Sequence, residues 1–316
     1  MKNIFPKVEE NVDIKPLTTF GVGGHARWYL RVSTPEELTE VYLKAITYNL
    51  SPILMAGGSN LVFPDETYPG LLIHYLASTE AKPRIIRGLA SVACEGGLSL
   101  ASFICFAIEN NLAGLEALSG IPGTVGGAIV GNAGAYGQGI SDKITRVEVF
   151  DGKEVKWLAK SDCHFIYRDS FFKKEGKDWL VLRAEWQLES GSGEELKKKS
   201  EEIIKIRNAK YVPGTKCPGS YFKNVLVEKV SAEALAKIDQ SKIRDGKIPA
   251  GYLLEEVRAK GLRVGEAVVA NFHGNLIINE GRATYVDVRA LAEKLKNLVK
   301  KKFGIELDEE VRYMVG

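Results

Sequence analysis

The sequence predicts an α+β protein built from two or three packed units. Strand and helix patterns alternate along residues 26–76, whereas residues 147–158 and 182–189 carry the signals of an antiparallel sheet. Residues 232–302 are mainly helical in pattern. Domains typically hold roughly 100 to 200 residues, so a chain of 316 residues predicts more than one core.

The first 80 residues predict a βαβ unit that contains a glycine turn. Residues 26–32 are rich in strand formers, and Thr34, Pro35 and Glu37 then supply an N-cap, a first-turn proline and an N3 glutamate. Residues 52–56 and 71–76 predict strands. The helix is expected to face the core through the apolar residues Leu38, Val41, Tyr42, Ala45 and Ile46.

The middle of the chain predicts a second unit with an antiparallel sheet. A strand at 91–95 and a helix at about 98–110 precede a glycine-rich stretch, and residues 147–150 and 154–158 flank the turn Asp151-Gly152. Apolar and polar residues alternate along 182–189, which predicts a strand with one solvated face.

The last third predicts a separate unit after a connecting helix at about 194–210. Glycine and proline mark residues 212–219, and helices are expected at 232–238, 250–257 and 285–302, with a strand at 275–279. The last helix has Thr284 as its cap, Asp287 at N3 and Gly304 just past its end.

Composition excludes several classes of function. The chain has 43 Lys and Arg against 40 Asp and Glu, and this small excess predicts no nucleic-acid surface. Cys94, Cys105, Cys163 and Cys217 match neither zinc nor redox spacing, so we expect reduced thiols in a cytosol. The scattered histidines predict no metal site.

No secretory signal or membrane span is expected. Residues 117–141 carry no charge and contain GxxxG spacings, but eight glycines and Pro122 argue against a bilayer helix. We interpret this stretch as a long functional loop.

Two glycine-rich segments indicate a phosphate-bearing cofactor. Neither a Rossmann fingerprint nor a P-loop is present. The segment Gly57-Gly58-Ser59-Asn60 taken alone is more typical of a tight turn, whereas residues 120–137 contain more glycine than a connection requires. One glycine segment per unit suggests a large cofactor bound between them.

Seven segments, in order along the chain, resemble the UDP-N-acetylenolpyruvoylglucosamine reductase (MurB) family: 19–24, 57–61, 114–137, 167–170, 219–224, 249–251 and 304–312. The resemblance implies the FAD-binding fold of the vanillyl-alcohol-oxidase (PCMH) type in two subdomains, 1–80 and 81–211. It also implies a C-terminal α+β substrate domain at 212–316 whose last strand packs back on the FAD subdomains. The short connection 170–210 is similar to the second type of the family, which lacks an extra tyrosine-bearing loop.

The same resemblance implies an NADPH-dependent flavoenzyme of peptidoglycan biosynthesis that reduces enolpyruvyl-UDP-GlcNAc to UDP-N-acetylmuramate. By the family's motifs, Ser220 protonates C2 of the substrate, Arg168 stabilises the enolate and Glu310 polarises the substrate carboxylate. Lys210, Asn224 and Tyr167 are expected to bind substrate. Noncovalent FAD is expected at Gly57, Gly58, Ser59, Asn60, Leu61, Gly120, Pro122, Gly123, Thr124, Gly126, Gly127, Ala128, Asn132, Gly134 and Ala135.

A cytoplasmic bacterial monomer without nucleic-acid or membrane partners is expected. The sequence departs from the family pattern at Ala56, Val225 and Cys217-Pro218. Two other functions stay open from the sequence: an oxidase of alcohols or sugars with the same fold, and a catalytically silent nucleotide-sugar binding protein. Locally, Ser220 could be a turn residue, Arg168 could pair with Asp169 at the surface, and Glu309 could replace Glu310.

Overall fold

The computed structural model describes residues 1–87 and 90–314, which form two compact units. Unit 1 comprises Met1–Glu10, Arg27–Gly57 and Pro69–Ala209. Unit 2 comprises Asn11–Ala26, Gly58–Tyr68 and Lys210–Gly316, and its residues 315 and 316, which the predicted C-terminal domain included, lie outside the described part. The division into three subdomains stays a prediction.

The strands of the described residues are, in chain order, β1 (Glu9–Asp13), β2 (His25–Val32), β3 (Ile53–Met55), β4 (Leu61–Val62), β5 (Tyr68–Tyr75), β6 (Arg84–Arg87), β7 (Ser91–Glu95), β8 (Leu112–Ala113), β9 (Gly134–Ala135), β10 (Gln138–Gly139), β11 (Ile144–Phe150), β12 (Val155–Ala159), β13 (Leu180–Gln187), β14 (Glu189–Ser190), β15 (Val225–Leu226), β16 (Lys247–Ile248), β17 (Arg263–Val264), β18 (Ala267–Val269), β19 (Ile277–Asn279) and β20 (Arg312–Tyr313). The α-helices are α1 (Pro35–Thr47), α2 (Leu100–Glu109), α3 (Val125–Gly131), α4 (Gly193–Lys210), α5 (Ala232–Leu235), α6 (Ala250–Glu256) and α7 (Tyr285–Phe303).

The two largest sheets of the described residues lie mainly in unit 1. One has the order β1-β2-β5-β3, in which β3 and β5 are parallel and β5 lies between β2 and β3, the two strands that flank α1. The other is antiparallel, in the order β12-β11-β13-β7-β6, and contains the predicted hairpin of β11 and β12. From Leu182 to Gln187 in β13 the side chains alternate between buried and more exposed, which confirms the predicted alternation, whereas Leu180 and Val181 before them are both buried.

Helix α1 begins where its cap predicts, but one of its residues is not in the core. The Thr34 Oγ1 accepts the Glu37 N–H at 3.1 Å, and the predicted core residues Leu38, Val41, Tyr42 and Ala45 are buried. Ile46, predicted to face the core, is 42% exposed. It follows the buried Ala45 directly, and a rotation of about 100° per residue turns it away from the buried stripe.

The glycine-rich stretch is not entirely the predicted loop, because it contains the short helix α3. The side chain of Thr124 accepts the Gly127 N–H at 3.2 Å, and Val125, Ala128 and Ile129 are buried. An N-cap and three apolar residues on one face therefore outweigh the low helix propensity of the glycines.

Unit 2 has one hydrophobic core, to which helices α6 and α7 and the strands β18 and β19 contribute. Helix α7 shows the predicted capping box of Thr284 and Asp287 and ends at Gly304 with φ 75°. The predicted strand at 275–279 is shorter, because Asn275 bonds the backbone of Phe222 instead of continuing a ladder. Strand β20 pairs with β4 in parallel. Within the described residues, no helix is long and apolar enough to cross a bilayer.

Candidate functional site

The two predicted glycine turns approach each other in unit 1. A Cβ atom added to Gly57 would lie 2.7 Å from the Cα of Gly123, which is closer than real Cβ contacts. Gly123 itself has φ 112°. Because the two backbones touch here, a larger residue at Gly57 would have to move the other turn, and the positive φ of Gly123 disfavours a residue with a Cβ there.

Several other glycines of the predicted cofactor set are explained by protein contacts. The Gly126 N–H donates to the Gly96 carbonyl at 2.7 Å, and a Cβ on Gly120 would lie 3.3 Å from the Arg207 side chain. Gly127 differs, because a Cβ there would meet nothing nearer than the Thr124 hydroxyl at 3.5 Å, and the residue is exposed. The backbone of α3 is therefore accessible at this position.

Arg168 lies at the tip of a tight turn in unit 1. The backbones of Ile166 and Asp169 exchange two hydrogen bonds of 3.1 Å, and Arg168 between them has φ 56°. The left-handed region is unfavourable for a residue with a Cβ. The Lys173 ammonium donates to the Arg168 carbonyl at 3.0 Å, so a side chain as well as the backbone stabilises the turn.

This turn is attached to the glycine-rich stretch by side-chain hydrogen bonds. The Asn132 amide donates to the Ile166 carbonyl at 2.7 Å, and the Ser170 hydroxyl donates to the Val130 carbonyl at 2.7 Å. The structure thus brings the Tyr167-Arg168 turn to the end of α3. Asp169 bonds Lys174 at 2.8 Å, so the local ion pair of Asp169 is with that lysine.

In unit 2, the Gly58-Ser59 turn is attached to the segment that precedes Ser220. Thr19 donates its N–H to the Gly58 carbonyl at 3.2 Å and its hydroxyl to the Cys217 carbonyl at 2.8 Å. A Cβ on Gly58, whose φ is 60°, would lie 2.2 Å from the Leu17 carbonyl oxygen. Glycine at position 58 is therefore required by the packing of the turn itself.

The backbone segments that carry Ser220 and Glu310 are hydrogen-bonded to each other in unit 2. The Glu310 N–H donates to the carbonyl of Tyr221, the residue after Ser220, at 2.8 Å. The Asn60 amide donates to the Glu310 carbonyl at 3.0 Å, and the Arg312 N–H donates back to the Asn60 carbonyl at 3.0 Å. Three segments that are far apart in sequence are thereby fixed together.

Asn275 clamps the backbone that follows Ser220. Its carbonyl accepts the Tyr221 N–H at 3.0 Å, its Oδ1 accepts the Phe222 N–H at 2.9 Å, and its amide donates to the Phe222 carbonyl at 2.8 Å. Asn275 is buried, so these bonds are shielded from water.

The side chain of Ser220 contacts a residue that the sequence did not single out. Its Oγ shares a hydrogen bond of 2.8 Å with the Tyr211 phenol, and the Tyr211 ring lies 5.7 Å from the His273 ring. Burial, together with the charge of Lys210, lowers the pKa of His273. Tyr211 directly follows the predicted substrate residue Lys210, but no sequence pattern distinguishes it from a surface aromatic residue.

The neighbouring carboxylates Glu309 and Glu310 have different surroundings. Glu309 accepts a hydrogen bond from the Tyr313 phenol at 3.2 Å and lies 3.7 Å from the Lys296 ammonium. These contacts give Glu309 a structural role.

Of the three predicted substrate residues, Lys210 and Asn224 lie in unit 2 and Tyr167 lies in unit 1. Lys210 is exposed at the end of α4, and the Asn224 Oδ1 accepts the Ala250 N–H at 3.1 Å. That bond orients the Asn224 side chain. Tyr167 lies beside Arg168 in unit 1, with the guanidinium carbon 5.8 Å from its ring.

The residues present fit a large cofactor. The buried Oδ1 of Asn132 accepts no hydrogen bond, and the exposed backbone at Gly127 offers close approach to a ligand. A bound donor would satisfy the Asn132 oxygen. No group of three or more metal-binding side chains occurs among residues 1–87 and 90–314.

Two family models match the chain. Residues 26–156 match the FAD binding domain, and residues 212–314 match the C-terminal domain of UDP-N-acetylenolpyruvoylglucosamine reductase. The matched ranges include Gly57 and Gly123 in the first and Ser220 and Glu310 in the second.

Relatives of the same description match over the full length. UDP-N-acetylenolpyruvoylglucosamine reductase of Solibacter usitatus is 36% identical over 97% of this chain and 96% of its own. That of Carboxydothermus hydrogenoformans is 36% identical over 99% and 96%. The crystal structure of the reductase (MurB) from Thermus caldophilus superposes with a TM-score of 0.74 at 30% identity, covering 98% of this chain and 99% of that one, which confirms the predicted fold class.

Proposed function

This chain belongs to the UDP-N-acetylenolpyruvoylglucosamine reductase family, and from that premise we propose how its own residues carry out the reaction. It is an FAD-dependent oxidoreductase that uses NADPH to reduce enolpyruvyl-UDP-GlcNAc to UDP-N-acetylmuramate in peptidoglycan synthesis. Bound FAD would supply the redox chemistry by which a hydride from NADPH reaches C3 of the enolpyruvyl group. The protein must then stabilise the negative charge at C2 and supply a proton there.

Arg168 stabilises the developing charge. A guanidinium presents a planar set of donors that matches a carboxylate, and the charge at C2 spreads into the substrate carboxylate. The left-handed φ of 56° supports this role, because strained backbone conformations cluster at functional sites. Three flanking hydrogen bonds keep the arginine at the tip of its turn.

Glu310 polarises the same carboxylate. In its protonated form it donates a hydrogen bond to the substrate carboxylate and draws charge away from C2. The hydrogen bond from the Glu310 N–H to the Tyr221 carbonyl supports this assignment, because it holds the backbone of Glu310 beside the segment that contains Ser220.

Ser220 protonates C2. The observation that carries this assignment is the 2.8 Å bond from the Glu310 N–H to the Tyr221 carbonyl, because it couples the backbone of the proton donor to that of the acid. Asn275 fixes the same backbone by three further hydrogen bonds. A donor held in this way keeps its distance from the reacting carbon, which general acid catalysis requires.

FAD is held by the two glycine turns and α3, through the set from Gly57 to Leu61 and the set from Gly120 to Ala135 given above. The close approach of Gly57 and Gly123 supports this assignment, since it forms a surface of backbone without side chains. Lys210, Asn224 and Tyr167 bind the substrate, the lysine through the diphosphate and the other two through polar groups.

The reaction is tested by following the flavin absorbance without oxygen. Denatured protein should release FAD rather than FMN, NADPH should bleach the bound flavin, and enolpyruvyl-UDP-GlcNAc should restore its absorbance with formation of UDP-N-acetylmuramate. Return of the absorbance with oxygen alone would contradict the reductase function and favour an oxidase.

The protein acts as a monomer in the cytoplasm, without nucleic-acid or membrane partners. Its four cysteines are free, as is typical of a reducing compartment. Sedimentation velocity of the FAD-bound protein should give the mass of one chain, 34.7 kDa plus cofactor. A dimer at micromolar concentration would contradict the monomer.

A further inference from the structure

We propose that Tyr211 is a positioning residue for Ser220: its phenol orients the serine hydroxyl and donates a hydrogen bond to the serine oxygen as the serine proton leaves. The inference rests on the proposed function, because it takes Ser220 as the proton donor. The main observation behind it is the distance of 2.8 Å between the Tyr211 and Ser220 side-chain oxygens.

Both ends of this hydrogen bond are attached to the same short segment, residues 273–275. The Tyr211 ring lies against His273, with ring centroids 5.7 Å apart and an interplanar angle of 30°. The backbone after Ser220 is fixed by the Tyr221 N–H to the Asn275 carbonyl at 3.0 Å. The segment is itself closed, since the Asn275 N–H donates to the His273 Nδ1 at 3.1 Å.

The surroundings give the tyrosine a defined orientation. Tyr211 and Ser220 are each half-buried, so their hydrogen bond is partly screened from water. Nδ1 of His273 accepts a hydrogen bond, so this nitrogen carries no proton and the ring is neutral. A neutral imidazole packs against the tyrosine without adding a charge beside the serine.

The proton balance of the step defines what Tyr211 does. The serine O–H bond breaks, the proton forms a C–H bond at C2 with the electron pair of the enolate, and the serine oxygen is left negative. A phenol donating to that oxygen stabilises the charge as it develops. Water then returns a proton to Ser220, and Tyr211 remains protonated throughout.

Tyr211→Phe in the full-length, FAD-loaded protein tests the proposal. Bleaching of the flavin by NADPH should keep the wild-type rate, because no serine proton takes part. Return of the absorbance with enolpyruvyl-UDP-GlcNAc should slow by about 10- to 100-fold, the usual effect of one hydrogen bond to a charged group. Tyr252→Phe is the matched control, since its half-buried phenol accepts the Asp239 N–H at 3.3 Å in the same unit, and it should leave both rates unchanged.

A double variant separates this proposal from the proposed role of Ser220. Ser220→Ala combined with Tyr211→Phe should be no slower than Ser220→Ala alone, because the tyrosine then has no serine to orient. The positioning role is wrong if Tyr211→Phe restores the flavin absorbance at the wild-type rate. It is also wrong if Tyr211→Phe slows the Ser220→Ala variant by the same factor as it slows the wild type. Either result leaves the proton-donor role of Ser220 intact. If Ser220→Ala itself returns at the wild-type rate, the proton-donor role fails first, and the positioning role with it.

Discussion

Arg168 combines a functional side chain with a backbone conformation that costs stability. A left-handed φ costs a residue with a Cβ about 1 to 2 kcal/mol, and glycine escapes most of that cost. Arg168 therefore adopts a φ of 56° although this conformation is unfavourable for arginine. The cost is expected where the side chain at the turn tip is needed for binding or catalysis.

Comparison of Arg168→Gly with Arg168→Ala separates the two contributions. Both variants lose the guanidinium, but only alanine keeps a Cβ in the left-handed region, so the glycine variant should be more stable by about 1 kcal/mol. Both should lose about 10²- to 10³-fold in turnover while retaining FAD. Thermal unfolding and steady-state kinetics measure the two effects, and an alanine variant with wild-type turnover would remove Arg168 from the mechanism.

In helix α3, a glycine lowers the stability of the helix but is proposed to leave room for the cofactor. Its glycines disfavour a helix, and the protein itself supplies no atom within 4 Å of a Cβ at Gly131 and only the Thr124 hydroxyl at Gly127. The family motif assigns Gly127 but not Gly131 to FAD. The two positions therefore form a matched pair in one helix.

Gly127→Ala should stabilise the apoprotein and weaken FAD binding. Alanine in a helix is favoured over glycine by about 0.5 to 1 kcal/mol, but its methyl group would occupy the exposed backbone where the cofactor is proposed to lie. Fluorescence titration of the apoprotein should show at least about tenfold weaker FAD binding. Gly131→Ala should give a similar gain in stability with unchanged FAD affinity, and equal affinities for both variants would contradict the assignment of Gly127.

Stability of the whole molecule should depend on pH through buried His74. Burial lowers the pKa of His74 from its usual 6.5 to about 4, and its Nδ1 lies 2.8 Å from the Tyr29 phenol. The folded state therefore favours the neutral ring, whereas the unfolded chain takes up a proton as the pH falls below 6.5. Stability is complete above that pH and decreases down to about pH 4.

The free energy of unfolding should fall by about 2 kcal/mol between pH 7 and pH 5 from this group alone. Burial also lowers the pKa of His273, which adds a loss in the same direction. Denaturant titrations at the two pH values give the difference. His74→Gln, which does not titrate, should show a smaller loss than the wild type, and an equal loss would exclude His74 as a source.

Local signals predicted much of the fold of the whole molecule. Thr34 and Thr284 marked helix starts correctly, and Asp151-Gly152 marked a hairpin, because caps and turns are decided by neighbouring residues. No local sequence pattern indicated that residues 11–26 and 58–68 belong to the same unit as the C-terminal part. This grouping depends on a shared core in which Phe20 and Val62 are buried with Tyr221.

The candidate site was named by family resemblance, and the structure added how its residues are held. No pattern in the sequence indicates that the Glu310 N–H bonds the Tyr221 carbonyl or that Asn275 clamps the same backbone, because those bonds join distant segments. The hydrogen bond between Tyr211 and Ser220 was missed for the same reason. The local predictions that were wrong include the burial of Ile46, the loop where α3 forms and the full length of the strand at 275–279.

The measurement that tests the mechanism most directly is anaerobic stopped-flow kinetics of Ser220→Ala. If Ser220 protonates C2, bleaching of the flavin by NADPH keeps the wild-type rate, because that step takes no proton from the serine. Return of the absorbance with enolpyruvyl-UDP-GlcNAc slows by about 10²- to 10⁴-fold with substrate affinity largely retained, and Ser220→Cys recovers part of the rate. Return at the wild-type rate in Ser220→Ala would contradict the account and reduce Ser220 to a turn residue.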